Sequence, residues 1–277
     1  MIKNILVAHD GSAYGKAAVE YAVWLAKGLG ASVTGLYVVD IVALEGPFLH
    51  DISASIGFEP FLDFSSKMRS ALEEKGGSIM ASAKERCGVA GVPFEGRVTT
   101  GIITNEICGK AKLSDLVIAG RRGINERFEY GLLGSTTEAL IRRSPKPVLM
   151  VPKGFKPPSN PLVAFDGSPN AGKALHSAAE LVKALGLPLT VATVVGRDKN
   201  AGTLSDAMDY LKPYGIRAVP VELSGETPYA IEKRCKDNGH DMVFMGVSHR
   251  LRLVEMVLGS TTEHVMRAID TPFFIER

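Results

Sequence analysis

Unbroken apolar runs alternate with helix-period stretches along the whole chain. Ile5-Leu6-Val7-Ala8 is the first run, ended by His9-Asp10-Gly11. Such a run, with no polar alternation, suits a strand buried on both faces, as in a parallel sheet. From Ala13 to Lys27 the apolar positions Ala17, Ala18, Tyr21, Ala22 and Leu25 line one helical face. Ser12 stands where an N-cap belongs, and Gly28 and Gly30 stand where the helix should stop. Ser32 to Val39 reads as the next strand. The alternation then predicts a helix over 66–86, a strand over 94–99, a short helix near 104–112 and the strand Leu116 to Ala119 ending at Gly120. A helix over 135–143 and a strand over 147–151 follow. Strands alternating with helices predict parallel βαβ units with right-handed crossovers.

The pattern then starts again. Strand-like segments at 161–165, 187–195, 216–223, 242–245 and 272–276 alternate with helical ones at 171–185, 204–211, 228–237 and 260–268. Two phrases recur in the same order: Asp-Gly-Ser at Asp10 and Asp166, and Gly-Ser-Thr-Thr-Glu at Gly134 and Gly259. A repeat of this length predicts two versions of one small domain. We expect them at 1–152 and 161–277, with the proline-rich stretch 153–160 as linker. Asp10 to Asp115 spans 105 positions but Asp166 to Asp241 only 75. The extra residues are expected in a surface excursion, flap or partner contact at about 41–65.

Composition narrows the class. Hydrophobic residues at 45% and charged residues at 22% describe an ordinary globular protein, and a net charge of +2 argues against a general nucleic-acid grip. No apolar stretch approaches the ~20 residues that cross a bilayer, and the N-terminus lacks signal-peptide features, so the cytoplasm is expected. Cys87, Cys108 and Cys235 form no close pair, and the six histidines show no metal-ligand spacing. Neither a disulfide framework nor a structural metal is expected.

In an open parallel sheet, ligands bind outside the carboxyl ends of the strands. Both repeated phrases fall at such ends. Gly120, Gly123 and Gly134-Ser135-Thr136 in one half, and Gly246 and Gly259-Ser260-Thr261 in the other, lead from a strand into a helix. Glycine permits close backbone approach, and a helix N-terminus offers unpaired N–H groups and partial positive charge to an anion. Arg121, Arg122, Arg127, Arg250 and Arg252 are candidates to neutralise phosphate, or solvated loop charge. Ser135 and Ser260 also suit plain N-caps, with Glu138 and Glu263 completing capping boxes. Asp10 and Asp166 also suit turn residues.

With these residues in place, the chain resembles the universal stress protein family. That family carries Gly-x-x-Gly, nine residues and Gly-Ser or Gly-Thr after its fourth strand, and an Asp ending its first. The resemblance implies two tandem doubly wound α/β domains, each a five-stranded parallel sheet of order 3-2-1-4-5 with helices on both faces. It implies ATP or a related adenine nucleotide, with Mg2+ as a candidate companion. Asp10 and Asp166 would lie near base or ribose beside Ala8, His9, Ala164 and Phe165. The backbone near Val39 and Val195 would approach the adenine, and the glycine loops would surround the phosphates. Neither copy follows the pattern fully. Ten residues rather than nine separate Gly123 from Gly134, and His249 replaces the second glycine of the other copy, which ranks the first site slightly higher.

No Gly-x-x-x-x-Gly-Lys-Ser/Thr loop or kinase motif set is present, so a nucleotide-dependent stress-response regulator with slow or no hydrolysis is expected. A slow ATPase and a nucleotide-free dimeric interaction scaffold are the alternatives. In the family, single domains pair through the last strand. Here the two halves are expected to pair with each other as an internal pseudo-dimer, with a homodimer as a further candidate.

Overall fold

The computed structural model describes residues 1–42, 60–124, 126, 133–195, 203–247 and 259–277, with backbone alone for 60–65. Arg127, His249, Arg250, Arg252 and most of the segment expected at 41–65 lie outside the described residues.

The first half runs β1 (Asn4–Ala8), α1 (Ala13–Leu29), β2 (Ser32–Asp40), α2 (Pro60–Val89), β3 (Phe94–Gly101), α3 (Ile103–Ala111), β4 (Leu116–Gly120), α4 (Ser135–Arg143) and β5 (Val148–Val151). The second runs β6 (Pro161–Ala164), α5 (Pro169–Leu185), β7 (Leu189–Val195), α6 (Thr203–Leu211), β8 (Ala218–Ser224), α7 (Thr227–Asn238), β9 (Met242–Gly246), α8 (Ser260–Ala268) and β10 (Phe273–Glu276). Each half has the expected strand order 3-2-1-4-5. The two sheets merge into one of ten strands through β5 and β10, which pair antiparallel with Met150 opposite Phe273 and Leu149 opposite Phe274. The other described strand pairs are parallel.

The unbroken apolar runs follow from a sheet covered on both faces. Ile5 and Val7 of β1 enter the cluster under α1, while Leu6 between them enters a second cluster with Ile107 of α3 and Leu140 of α4. The cluster under α1 continues into the other half through Leu149, Phe274, Phe244 and Leu175 of α5. A single core therefore crosses the junction on that face. On the opposite face Leu133, Ile141 and Met150 of the first half join Leu162, Val243, Val265 and Phe273 of the second. Burying side chains of this size contributes about 1.5–3 kcal/mol each.

Two expectations need correction. Gly28 lies inside α1 and does not stop it; a Cβ there would sit 2.1 Å from Leu185 Cδ2, so this glycine admits α5 at close range. Gly30, left-handed at φ +59°, ends the helix as expected. The extra length of the first half is also shared between an excursion and a helix. α2 spans 30 residues against 9 for α6, and residues 60–65, expected in the excursion, belong to it. Arg86 of α2 fastens the helix to Glu20 of α1 through two bonds of 2.6 Å. Among the described residues, no helix is long and apolar enough to cross a membrane.

Candidate functional site

In the first half the site is built where β1 and β4 end. Gly11 turns the chain out of β1 at φ +87°, a conformation that L side chains disfavour. Ser12 then caps α1, its Oγ accepting from the Gly15 amide at 3.1 Å. Asp10 holds the crevice together. Its Oδ1 accepts from Ser12 N and its Oδ2 from Ile124 N, both at 2.9 Å, so one carboxylate fastens its own turn and the loop after β4. This explains Gly123: a Cβ there would lie 2.6 Å from Asp10 Oδ2. Gly120 has a different reason. Its Cβ would meet Tyr14 Cβ at 2.4 Å and the Arg122 carbonyl at 2.8 Å, so the strand end abuts the first turn of α1.

The helix that follows begins without a side-chain cap. Gly134 is the N-cap of α4, in extended conformation, and Ser135 is already the first helical residue, with its side chain exposed. Glu138 pairs with Arg142 and does not complete a capping box. The same holds in the second half, where Gly259 caps α8 and Glu263 pairs with Arg267 at 2.5 Å. Ser135 and Ser260 are therefore not N-caps. Among the described residues no side chain caps either helix, and an uncapped helix N-terminus is suited to an anion. Thr137, the second threonine of the repeated phrase, turns inward and donates to the Gly120 carbonyl at 2.6 Å.

His9 is 7% exposed, and its Nδ1 accepts from the Gly11 amide at 3.2 Å. Burial lowers its pKa to about 4, more than the opposing pull of Asp10 can restore, so the ring is neutral at pH 7. Ala8 lies half-buried at the same strand end, and Val39 is buried at the end of β2. Thr136 is half-exposed beside Ser135.

Arg121 does not face this crevice. Its guanidinium crosses to the second half, donating from Nη2 to the Ile269 and Thr271 carbonyls at 2.5 and 3.3 Å and from Nη1 to Asp270 at 3.3 Å. Arg121, a candidate to neutralise phosphate, is thus engaged across the junction. Arg122 keeps partners in the structure. Sequence reasoning missed the contact of Tyr14 with Glu126 at 3.2 Å and of Glu126 with Lys153 at 3.0 Å, which tie the loop after β4 to α1 and to the segment after β5. These residues are distant in sequence and follow no local pattern. Thr137 was findable, because its phrase recurs.

The second half repeats the scaffold, with different contacts among the described residues. Asp166 is exposed, and its Oδ1 accepts from Ser168 N at 2.9 Å. Ser168 caps α5 through the Ala171 amide at 3.2 Å. Gly246 is the counterpart of Gly120: its Cβ would lie 2.3 Å from the Asn170 carbonyl carbon and 2.4 Å from Ala171 N. Asn170 Nδ2 donates to the Val247 carbonyl at 2.6 Å. Ala164 and Phe165 are half-buried, and the Phe165 carbonyl accepts from Thr193 Oγ1 at 2.8 Å. Val195 is 45% exposed, unlike Val39. Gly259 and Thr261 are half-exposed and Ser260 exposed at the start of α8.

The sequence pattern described as "Universal stress protein family" matches residues 1–152 and again 160–277. The universal stress protein Slr1230 of Synechocystis sp. is 32% identical over 282 residues, covering 98% of this chain and 98% of its own. The universal stress protein MJ0531 of Methanocaldococcus jannaschii is 30% identical over 158 residues, covering 56% of this chain and 85% of its own. Among solved structures, a universal stress protein from Archaeoglobus fulgidus shares the fold at a TM-score of 0.78 and 24% identity, covering 99% of this chain and 98% of that one. Two matches in one chain, a relative aligned along its full length and a strand order repeated in both halves lead to the same assignment: the chain belongs to the universal stress protein family, as a tandem member.

Proposed function

We propose that this chain binds ATP or a related adenine nucleotide at the strand ends of its first half, and acts as a nucleotide-dependent regulator with slow or no hydrolysis. The observation that supports this most is the start of α4. A helix N-terminus without a side-chain cap, preceded by Gly134 and opening with Ser135 and Thr136, stands after a strand whose neighbour β1 leads into Asp10. Such an end receives phosphate oxygens through backbone N–H groups. The second half has the same helix start at Gly259 and is the secondary candidate. Slow turnover fits the sequence, which carries no nucleotide-hydrolysing loop of the Gly-x-x-x-x-Gly-Lys-Ser/Thr type, and fits Asp10, whose oxygens each accept from a backbone amide and so hold the loop in place. Among the described residues, no cluster of three or more acidic, histidine or cysteine side chains fits a resident metal, so Mg2+ would arrive on the nucleotide's phosphates.

One observation favours a second reading. Asp10 is engaged within the protein and Arg121 is turned away, which suits a nucleotide-free interaction scaffold. Heating the purified protein and chromatographing the supernatant distinguishes the two. The nucleotide reading expects a released adenine nucleotide, or a melting temperature that climbs with ATP, equivalent to about 2.7 kcal/mol at a hundredfold excess over Kd. The absence of both, no released nucleotide and no rise with ATP, would overturn it. Turnover well above about 1 per second would overturn the regulator in favour of an enzyme.

A further inference from the structure

We propose that Arg121 is a positioning residue that anchors the first half's phosphate loop on the second half, so that nucleotide at the first site is felt at the α8–β10 turn. The inference rests on the nucleotide reading above and moves Arg121 from a ligand to a strut.

The main chain of Arg121 links the two sides of the loop. Its amide donates to the Val151 carbonyl at the end of β5 at 2.8 Å, and its carbonyl accepts from Gly134 N at 3.0 Å, immediately before α4. Its side chain is 11% exposed and donates to Ile269, Thr271 and Asp270 across the junction. The guanidinium also lies 5.9 Å from the ring centroid of Phe273 in β10. One residue thus joins the start of the anion-accepting helix, the sheet edge of its own half and the turn before β10. A rigid, planar donor fork suits two carbonyls and a carboxylate on one turn better than a flexible ammonium would.

The junction is imperfectly satisfied, since Arg121 Nε and Thr271 Oγ1 are buried without a hydrogen-bond partner. A buried donor left in that state costs free energy, so a shift of the loop that alters these contacts changes the balance at the junction. Among the described residues, the second half shows no equivalent contact. Val247 occupies the matching position after β9, 2% exposed, in the apolar cluster with Leu133 and Met150.

The test uses the full chain and ATP, comparing Arg121→Met and Arg121→Lys with the unaltered protein. Hydrogen exchange in nucleotide-free protein is expected to quicken in Arg121→Met over residues 120–124 and 133–137. ATP affinity is expected to fall roughly threefold to tenfold, within the range for residues that carry coupling, with Arg121→Lys intermediate. ATP is expected to slow exchange over residues 264–273 of the unaltered protein and to leave Arg121→Met unchanged there. A weaker affinity with unchanged exchange over 120–124 and 133–137 would make Arg121 a direct phosphate ligand and overturn the proposal. So would ATP slowing exchange over 264–273 equally in both proteins. If the unaltered protein binds no ATP, the nucleotide reading fails, and the exchange of the empty loop alone decides whether Arg121 holds it. Should Arg121→Met not fold, Arg121→Lys carries the same comparison.

Discussion

In the first half, the Asp10 carboxylate reaches the Ile124 amide and Arg121 reaches out of the half altogether; in the second, Asp166 lies exposed against the Ser168 amide and Val247 is packed in an apolar cluster. The strand ends themselves are alike, with Gly120 and Gly246 both pressed against the first turn of a helix. The repeat therefore specifies the frame on which a loop is mounted. Among the described residues, the halves differ in what the repeated aspartate reaches and in the residue after the fourth strand, Arg121 in one and Val247 in the other.

The frame should be the most sensitive element in both halves. Gly246→Ala places a Cβ against Asn170 and Ala171 backbone, which cannot move aside as a side chain can. It is expected to cost about 3 kcal/mol in urea unfolding, with Gly120→Ala nearly as severe. A mild effect at either position would separate the frames of the two halves and break the comparison.

Acid should separate the halves next. His9, with its pKa lowered to about 4 by burial, is neutral in the folded state, whereas the unfolded chain protonates it near the ordinary 6.5. Stability is then complete above pH 6.5, is lost as pH falls towards 4, and is lower by about 3 kcal/mol below that. Phe165 at the matching position cannot titrate. His9→Asn, which keeps an acceptor for the Gly11 amide, should flatten the slope between pH 6.5 and 4; an unchanged slope would place the acid sensitivity elsewhere.

The acidic residues give a smaller contrast. Asp10→Ala removes an acceptor from two backbone amides and is expected to cost about 2 kcal/mol, against about 1 kcal/mol for Asp166→Ala. Equal costs would show that the bond to Ile124 contributes nothing. The smallest effect is expected at Ser135→Ala, within about 0.5 kcal/mol in stability, because Ser135 caps nothing. In the nucleotide reading the same change should still weaken ATP binding, and a variant unaltered in both would sharpen the scaffold alternative.

Much of the fold was legible because burial on both sheet faces writes itself as unbroken apolar runs, as at Ile5 to Ala8. The helix start at Ser12 was legible from capping chemistry, and the same chemistry recurs at Ser168, where the helix begins two residues before the expected 171. Ser135 was misleading, since a serine before a helical pattern is an N-cap as readily as a first-turn residue, and only the backbone at Gly134 decides. Gly28 misled for a related reason: a glycine near a helix end reads as a stop, and the approach of Leu185 from the other half leaves no local trace. Asp10 and Gly123 were visible as motif residues, but their mutual contact was not. Arg121 was the hardest to place, because charge and position suggested a phosphate while its partners lie about 150 residues away.

The antiparallel pairing of β5 with β10 has a genetic consequence. In a two-fold homodimer each interface residue is inherited twice, and a change that favours one site is imposed on the other. A tandem chain encodes its two faces separately. Arginine at 121 and valine at 247 are independent choices here, so one copy is free to specialise as receiver while the other is kept as its support.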